Sequence, residues 1–252
     1  MNQATLTPGL VSITFRKLPP RAIVELAVQA KLESIEWGGD VHVPPGDVSI
    51  ARNRRHITES AGLFVAAYGS YYRLGAGQDF EPVLASAVAL AAPIIRVWAG
   101  QKGSADTSDT ERGAVVEDAL RIADRAGQAG IKVAYEHHRG TLTDTIESTD
   151  RLLCEATHDN LYMLWQPPHE ASLDHNVESL RRVAHRLLNV HVFHWRLPDL
   201  DRRPLAEGEP RWRRYLEELR RIGGRRHLLL EFVRDESPQQ LLEDAMTLRR
   251  WL

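Results

Sequence analysis

The stretch 131–169, IKVAYEHHRGTLTDTIESTDRLLCEATHDNLYMLWQPPH, holds two short apolar runs separated by an amphipathic segment. The runs 132–136 (KVAYE) and 161–165 (LYMLW) are rich in β-branched and aromatic residues, while 143–156 carries helical spacing. Strand, helix, strand is the reading. Strands joined through a crossover helix run parallel, so their carboxyl ends lie on the same side of a sheet. Each run closes on a polar residue, Glu136 in the first case and Gln166 just after the second. Two groups 30 residues apart therefore belong at one sheet edge.

The same alternation extends in both directions. Strand-like runs fall at 10–15, 34–37, 63–68, 94–98, 132–136, 161–165, 187–193 and 227–232. Helix-like segments fall at 20–30, 48–61, 80–90, 110–129, 143–156, 173–185, 210–222 and 238–251. Gly62, Gly130 and Gly223-Gly224 stand where helix patterns stop, and Thr143 and Ser237 stand where helices can be capped. Eight βα units predict an α/β fold, a single (β/α)8 barrel over residues 1–252, with the active site at the carboxyl ends of the strands. An open nucleotide-binding sheet would favour a glycine fingerprint after the first strand, and ITFRKLPPR (13–21) offers none. The loops after the strands, such as GGDVHVPPGD (38–47) and GQKGSADTSD (100–109), are longer and more polar than the turns before them. Such loops usually form the active-site face.

Composition narrows the function. The formal charge is −2 and hydrophobic residues make up 43% of the 252, enough for one large core without a basic field for nucleic acid. Arginine outnumbers lysine 28 to 4, but stretches such as WRRYLEELRRIGGRR (212–226) interleave it with glutamate as a solvated helix face does. Cys154 is the single cysteine, so no intramolecular disulfide forms, and its amphipathic setting predicts a buried structural thiol. No segment approaches the roughly 20 apolar residues of a membrane span, and no basic and apolar leader opens the chain. A cytoplasmic protein without membrane or nucleic-acid partners is expected.

Four polar residues at the ends of four successive strand candidates, Glu136, Gln166, His191 and Glu231, form a candidate ligand set for one divalent metal ion. Carboxylate, amide oxygen and imidazole suit Mn²⁺, Mg²⁺ or Co²⁺, with Zn²⁺ also admitted, and the absence of thiolates argues against a structural zinc cage. Glu136 and His138 share one strand face, as do Leu229 and Glu231, because side chains alternate with period two. Trp37, Trp98, Trp165 and Trp195 fall at or just beyond four strand ends, where flat aromatic faces suit a sugar.

At these residues the chain resembles the xylose-isomerase-like TIM-barrel superfamily of sugar and sugar-phosphate isomerases and epimerases. Glu136-His137-His138-Arg139-Gly140 is similar to its fifth-strand Glu-x-His-x-Gly signature, and Gln166-Pro167-Pro168-His169 to its sixth-strand Asp-Pro-Gly-His. His191-Val192-Phe193-His194 occupies the place of His-Val-Lys-Asp, and Leu230-Glu231-Phe232 matches the eighth-strand glutamate. Two departures stand out: Gln166 replaces aspartate, and Phe193-His194 replaces Lys-Asp. Loss of one anionic ligand is expected to weaken metal affinity while sharpening the ion as a Lewis acid.

The resemblance implies that Glu136 and Glu231 are both metal ligands and catalytic acid–base groups, exchanging a proton next to a carbonyl polarised by the ion, through an ene-diolate. It implies substrate contacts at His138 and His169, and Arg196 lies after the seventh strand, where it could grip a hydroxyl or phosphate. A metal-dependent sugar isomerase or epimerase of carbohydrate metabolism is the first expectation. The alternatives are a metal-dependent dehydratase of a polyhydroxy acid, in which the same enolate expels a hydroxyl, and a catalytically silent sugar-binding homologue. An apurinic-site endonuclease would need further ligands and a basic groove that the sequence does not offer. The partner is a small sugar or sugar derivative, and a homodimer or homotetramer is compatible with the resemblance.

Overall fold

Short apolar runs with period-two polarity form strands that bury both faces, one against helices and one inside a closed barrel. The computed structural model describes residues 4–168, 171–196 and 199–252. Eight parallel strands close the barrel: β1 (Thr5–Val11), β2 (Ser34–Gly38), β3 (Phe64–Arg73), β4 (Ile94–Trp98), β5 (Lys132–Glu136), β6 (Leu161–Trp165), β7 (Leu187–Val192) and β10 (Arg225–Leu230). Around them run α1 (Pro20–Gln29), α2 (Val48–Ser60), α3 (Glu81–Leu90), α4 (Asp109–Gln128), α5 (Ile146–Glu155), α6 (Leu173–Val183), α7 (Glu209–Ile222) and α8 (Pro238–Trp251). An antiparallel pair, β8 (Trp195–Arg196) and β9 (Asp201–Arg202), is inserted after β7. The expected (β/α)8 barrel is what the chain adopts, and among the described residues no helix is long and apolar enough to cross a membrane.

The barrel interior is stratified. Ile94, Ala134 and Leu164 form a small buried cluster with Ala67, and Leu229 packs with Val11, Ile13 and Ala66. Two residues further along the same strand faces stand Arg96, Glu136, Gln166 and Glu231. Two residues of strand rise about 6.6 Å, so an apolar floor carries a polar layer at the carboxyl ends. Alternate residues such as Ile95, Val133 and Met163 face the helices in the main core.

Three sequence expectations need correction. The first strand runs Thr5–Val11 rather than 10–15, and Ser12–Phe15 is a 3₁₀ turn. Gly9 sits mid-strand at a close approach that requires glycine, since a Cβ there would lie 2.4 Å from Ser34 Oγ and 2.6 Å from Leu229 Cδ2. Thr143 does not cap α5. Thr145 does, accepting the Ser148 N–H at 3.1 Å, while the Thr143 hydroxyl donates to the Glu136 carbonyl at 2.6 Å and pins the end of β5. Cys154 is exposed rather than buried, since it lies on the outer face of α5. Ser237 caps α8 as expected, accepting the Gln240 N–H at 3.3 Å.

Two histidines tie barrel elements together as neutral rings. His227 Nδ1 lies 2.9 Å from both Thr7 Oγ1 and Ser34 Oγ, and His42 Nδ1 lies 2.9 Å from Ser12 Oγ. Burial, then nearby arginines (Arg54 and Arg16 for His42, Arg225 for His227), pushes each down to about 4. Because the folded value is depressed below the ordinary 6.5, their stabilisation is full above about pH 6.5 and is lost as pH falls through about 4. Asp244 acts in the opposite sense: burial raises it to about 6, so its contribution is present at low pH and lost as pH rises through 6. His137, pushed down to about 4 by burial, adds a third such group, and three histidines against one aspartate predict a fall in melting temperature from pH 7 to pH 4, with a shallower slope in His42→Gln. Thermal melts at pH 7, 5.5 and 4 check this, and a flat profile would refute it.

Candidate metal centre and active site

The polar layer brings four of the expected residues together. Gln166 Oε1 and Glu231 Oε2 each lie 3.3 Å from His191 Nδ1, and Glu136 Oε1 lies 3.8 Å from it. Ligand atoms of Glu136, His191 and Glu231, all buried, fall within 4.8 Å of one another. The Gln166 amide nitrogen donates to the His137 carbonyl at 2.9 Å, which turns its oxygen toward the cluster. Two carboxylates, one imidazole and one amide oxygen are a donor set that fits a divalent cation.

Three further residues organise this cluster. Arg96 on β4 is buried, donating from Nε to Glu36 Oε1 at 3.1 Å and from Nη1 to Glu136 Oε2. Trp98, on the same face of β4, donates its indole N–H to that Glu136 oxygen as well. Glu36 on β2 is fully buried, and its Oε2 lies 3.3 Å from His191 Nε2. Gly69 on β3 leaves the space, since a Cβ there would lie 2.6 Å from Glu36 Oε1 and 2.7 Å from Arg96 Nη2.

Electrostatics follow from these contacts. Burial pushes the Glu136 carboxyl up, but the Arg96 guanidinium, with His191 and His138, more than offsets it and holds Glu136 below the usual carboxylate range. Burial likewise opposes charge on His191, yet Glu231 and Glu36 raise it to about 10. Arg96 remains charged despite burial, raised above its ordinary range by Glu136 and Glu36.

Above the cluster opens a cavity of about 790 Å³. One wall carries Trp98, stacked on His138 at 4.9 Å and touching Tyr71 edge-on at 5.4 Å. The other carries Trp195 and Phe232, 5.9 Å apart, with the Arg202 guanidinium 4.6 Å over the Phe232 ring. Phe232 has φ of 51°, and its N–H is held by Thr14 Oγ1 at 3.0 Å. That strained conformation turns the chain directly after Glu231. Arg16, paired with Asp40, Arg202, paired with Glu236 at 3.4 Å, and Arg139 also line the cavity.

Of the expected substrate contacts, His138, Trp98 and Trp195 line this cavity. Trp37 and Trp165 do not: they are fully buried behind the barrel, donating to Thr58 Oγ1 at 3.0 Å and Ser179 Oγ at 2.9 Å in the helix layer. Arg196 is exposed and paired with Glu207 at 2.6 Å, outside the cavity wall, and Arg202 from the adjoining strand stands there instead. His169 lies outside the described residues. Glu36, Arg96, Tyr71 and Arg202 were not anticipated.

Residues 24–251 match the model of the xylose isomerase-like TIM barrel family, and the chain belongs to that family. Over 164 residues it is 32% identical to a 3-dehydroshikimate dehydratase of Bacillus anthracis, a match covering 61% of this chain and 59% of that protein. In shape it is similar to a probable 3-DHS dehydratase of the same organism, with a TM-score of 0.79, 22% identity and 98% of each chain covered. It is also similar to a D-allulose 3-epimerase from Methylomonas sp., with a TM-score of 0.71, 15% identity and the whole of each chain covered. A dehydratase is thus among its sequence relatives, and the epimerase shares its fold.

Proposed function

We propose that this chain is a divalent-metal-dependent dehydratase of a polyhydroxy acid carrying a carbonyl group. The observation that carries the reading is the unequal setting of the two carboxylates. Glu136 is tied by Arg96 and Trp98, whose contacts favour its charged form and make it a firm ligand and a poor base. Among the described residues no arginine forms an ion pair with Glu231, whose nearest charged neighbour is His191 at 3.3 Å. An isomerase or epimerase using both carboxylates would need Glu136 to exchange a proton as well, and this pairing works against that.

Dehydration needs one such group. Glu231 takes the proton from the carbon next to the carbonyl, the hydroxyl on the adjoining carbon leaves with that proton as water, and a carbon–carbon double bond remains. A divalent ion held by Glu136, Gln166, His191 and Glu231 would supply Lewis-acid polarisation of the carbonyl. Arg139 in the cavity lining suits a carboxylate on the substrate, and the aromatic walls suit a ring. The dehydratase relative supports the same class of reaction.

The test is product analysis with Mn²⁺- or Mg²⁺-supplemented protein in D₂O, offering 3-dehydroshikimate and D-allulose in parallel. The expected result is loss of water from the acid, read by NMR and by absorbance of the conjugated product, with the sugar unchanged. Deuterium entering D-allulose beside its carbonyl without loss of water, and no reaction of the acid, would favour the epimerase instead.

A further inference from the structure

We infer that Glu36 is a positioning residue for the ligand cluster, acting on His191 directly and on Glu136 through Arg96. The inference rests on the ligand set of the proposed function. Glu36 comes from β2, outside the four strands that supply the ligands, and its side chain is wholly shielded from solvent. Its two oxygens have separate tasks. Oε2 faces His191 Nε2 at 3.3 Å, and Oε1 accepts Arg96 Nε at 3.1 Å. Arg96 then reaches Glu136 from Nη1, so one chain of polar contacts links β7, β2, β4 and β5.

The consequence for His191 is geometric. An imidazole has two ring nitrogens, and a histidine that ligates through one is oriented by what the other donates to. With Nε2–H directed at Glu36, Nδ1 faces Gln166, Glu231 and Glu136 at 3.3, 3.3 and 3.8 Å. Rotating the ring by half a turn would break both sets of contacts. Arg96 does for Glu136 what Glu36 does for His191: it fixes one oxygen, Oε2, and leaves Oε1 on the cluster side. A buried ion pair alone is weak grounds for a stability role, since apolar residues of similar volume often serve as well. Here, however, both ends of the pair terminate on candidate ligands, and β3 gives up a side chain at Gly69 to make room for it.

The experiment uses the full chain in three forms: wild type, Glu36→Gln and Glu36→Leu. Mn²⁺ affinity is read by electron paramagnetic resonance titration, and the His191 ring by ¹⁵N-resolved NMR without metal. A slowly exchanging Nε2–H resonance is expected in the wild type and in Glu36→Gln, whose amide oxygen still accepts, and its loss is expected in Glu36→Leu. Mn²⁺ affinity should fall roughly 10- to 100-fold in Glu36→Leu, the range found for partners of metal-bound histidines, and by much less in Glu36→Gln. Unchanged affinity and an unchanged ring signal in Glu36→Leu would overturn the inference. A protected Nε2–H in a wild type that binds no Mn²⁺ would instead uphold the Glu36 contact and overturn the ligand set.

Discussion

Glu231→Gln is expected to lower kcat about 10³-fold, within the range for loss of a general base, while the protein remains folded. The substitution keeps the size of the side chain and removes only its capacity to take a proton. Position 231 is held independently of its charge: its N–H donates to the Val192 carbonyl at 3.0 Å, and the following N–H donates to Thr14 Oγ1 at 3.0 Å. The amide oxygen can still face the cluster, so metal affinity should drop less than turnover. Glu136→Gln is expected to invert the pattern. Its carboxylate balances Arg96 and serves as an anionic ligand, so its loss should weaken metal binding first and slow saturated turnover less. Steady-state kinetics across a Mn²⁺ titration measure both effects. Equal losses of metal-saturated kcat in the two variants would mean that both carboxylates move protons, and the one-base reading would fail.

The barrel and the polar layer at its carboxyl edge were legible in the sequence because both rest on local, periodic signals. Apolar runs mark strands, and a polar residue closing each run marks the carboxyl edge. The misplacements come from side-chain parity and from long-range pairing. Trp37 directly follows Glu36, and Trp165 directly precedes Gln166, so each faces the helices while its neighbour faces the interior. Trp98 shares a face with Arg96 and therefore reaches the cavity. The same parity that joined Glu136 to His138 would have separated these tryptophans. Arg96 also left a signal, since a charge enclosed in IIRVW (94–98) has to find a buried partner. Its partners, Glu36 and Glu136, lie 60 and 40 residues away, and no local pattern names them. Arg202 was out of reach for a different reason: a two-residue strand pair has no periodicity to read, so its approach to the cavity depends on a hairpin that only the folded chain reveals.

Arg96→Met should have the largest effect on stability. Removing the guanidinium leaves Glu36 and Glu136 as buried carboxylates without their common counter-ion, and breaking such a pair from one side costs about 3–5 kcal/mol. Methionine fills much of the volume, so the loss is chiefly one of charge and hydrogen bonds rather than of packing. Two additions should relieve it. Glu36→Gln on the same background removes one of the stranded anions and should recover part of the loss, because the two positions act through one network. A divalent ion bound only by the folded state should recover more as its concentration rises, by about 2.7 kcal/mol at a hundred times its Kd. Urea unfolding of wild type, Arg96→Met and the double variant, each with and without Mn²⁺, measures these differences. A loss below about 1 kcal/mol, as expected for an exposed pair, would mean that Arg96 does not hold the two carboxylates in place.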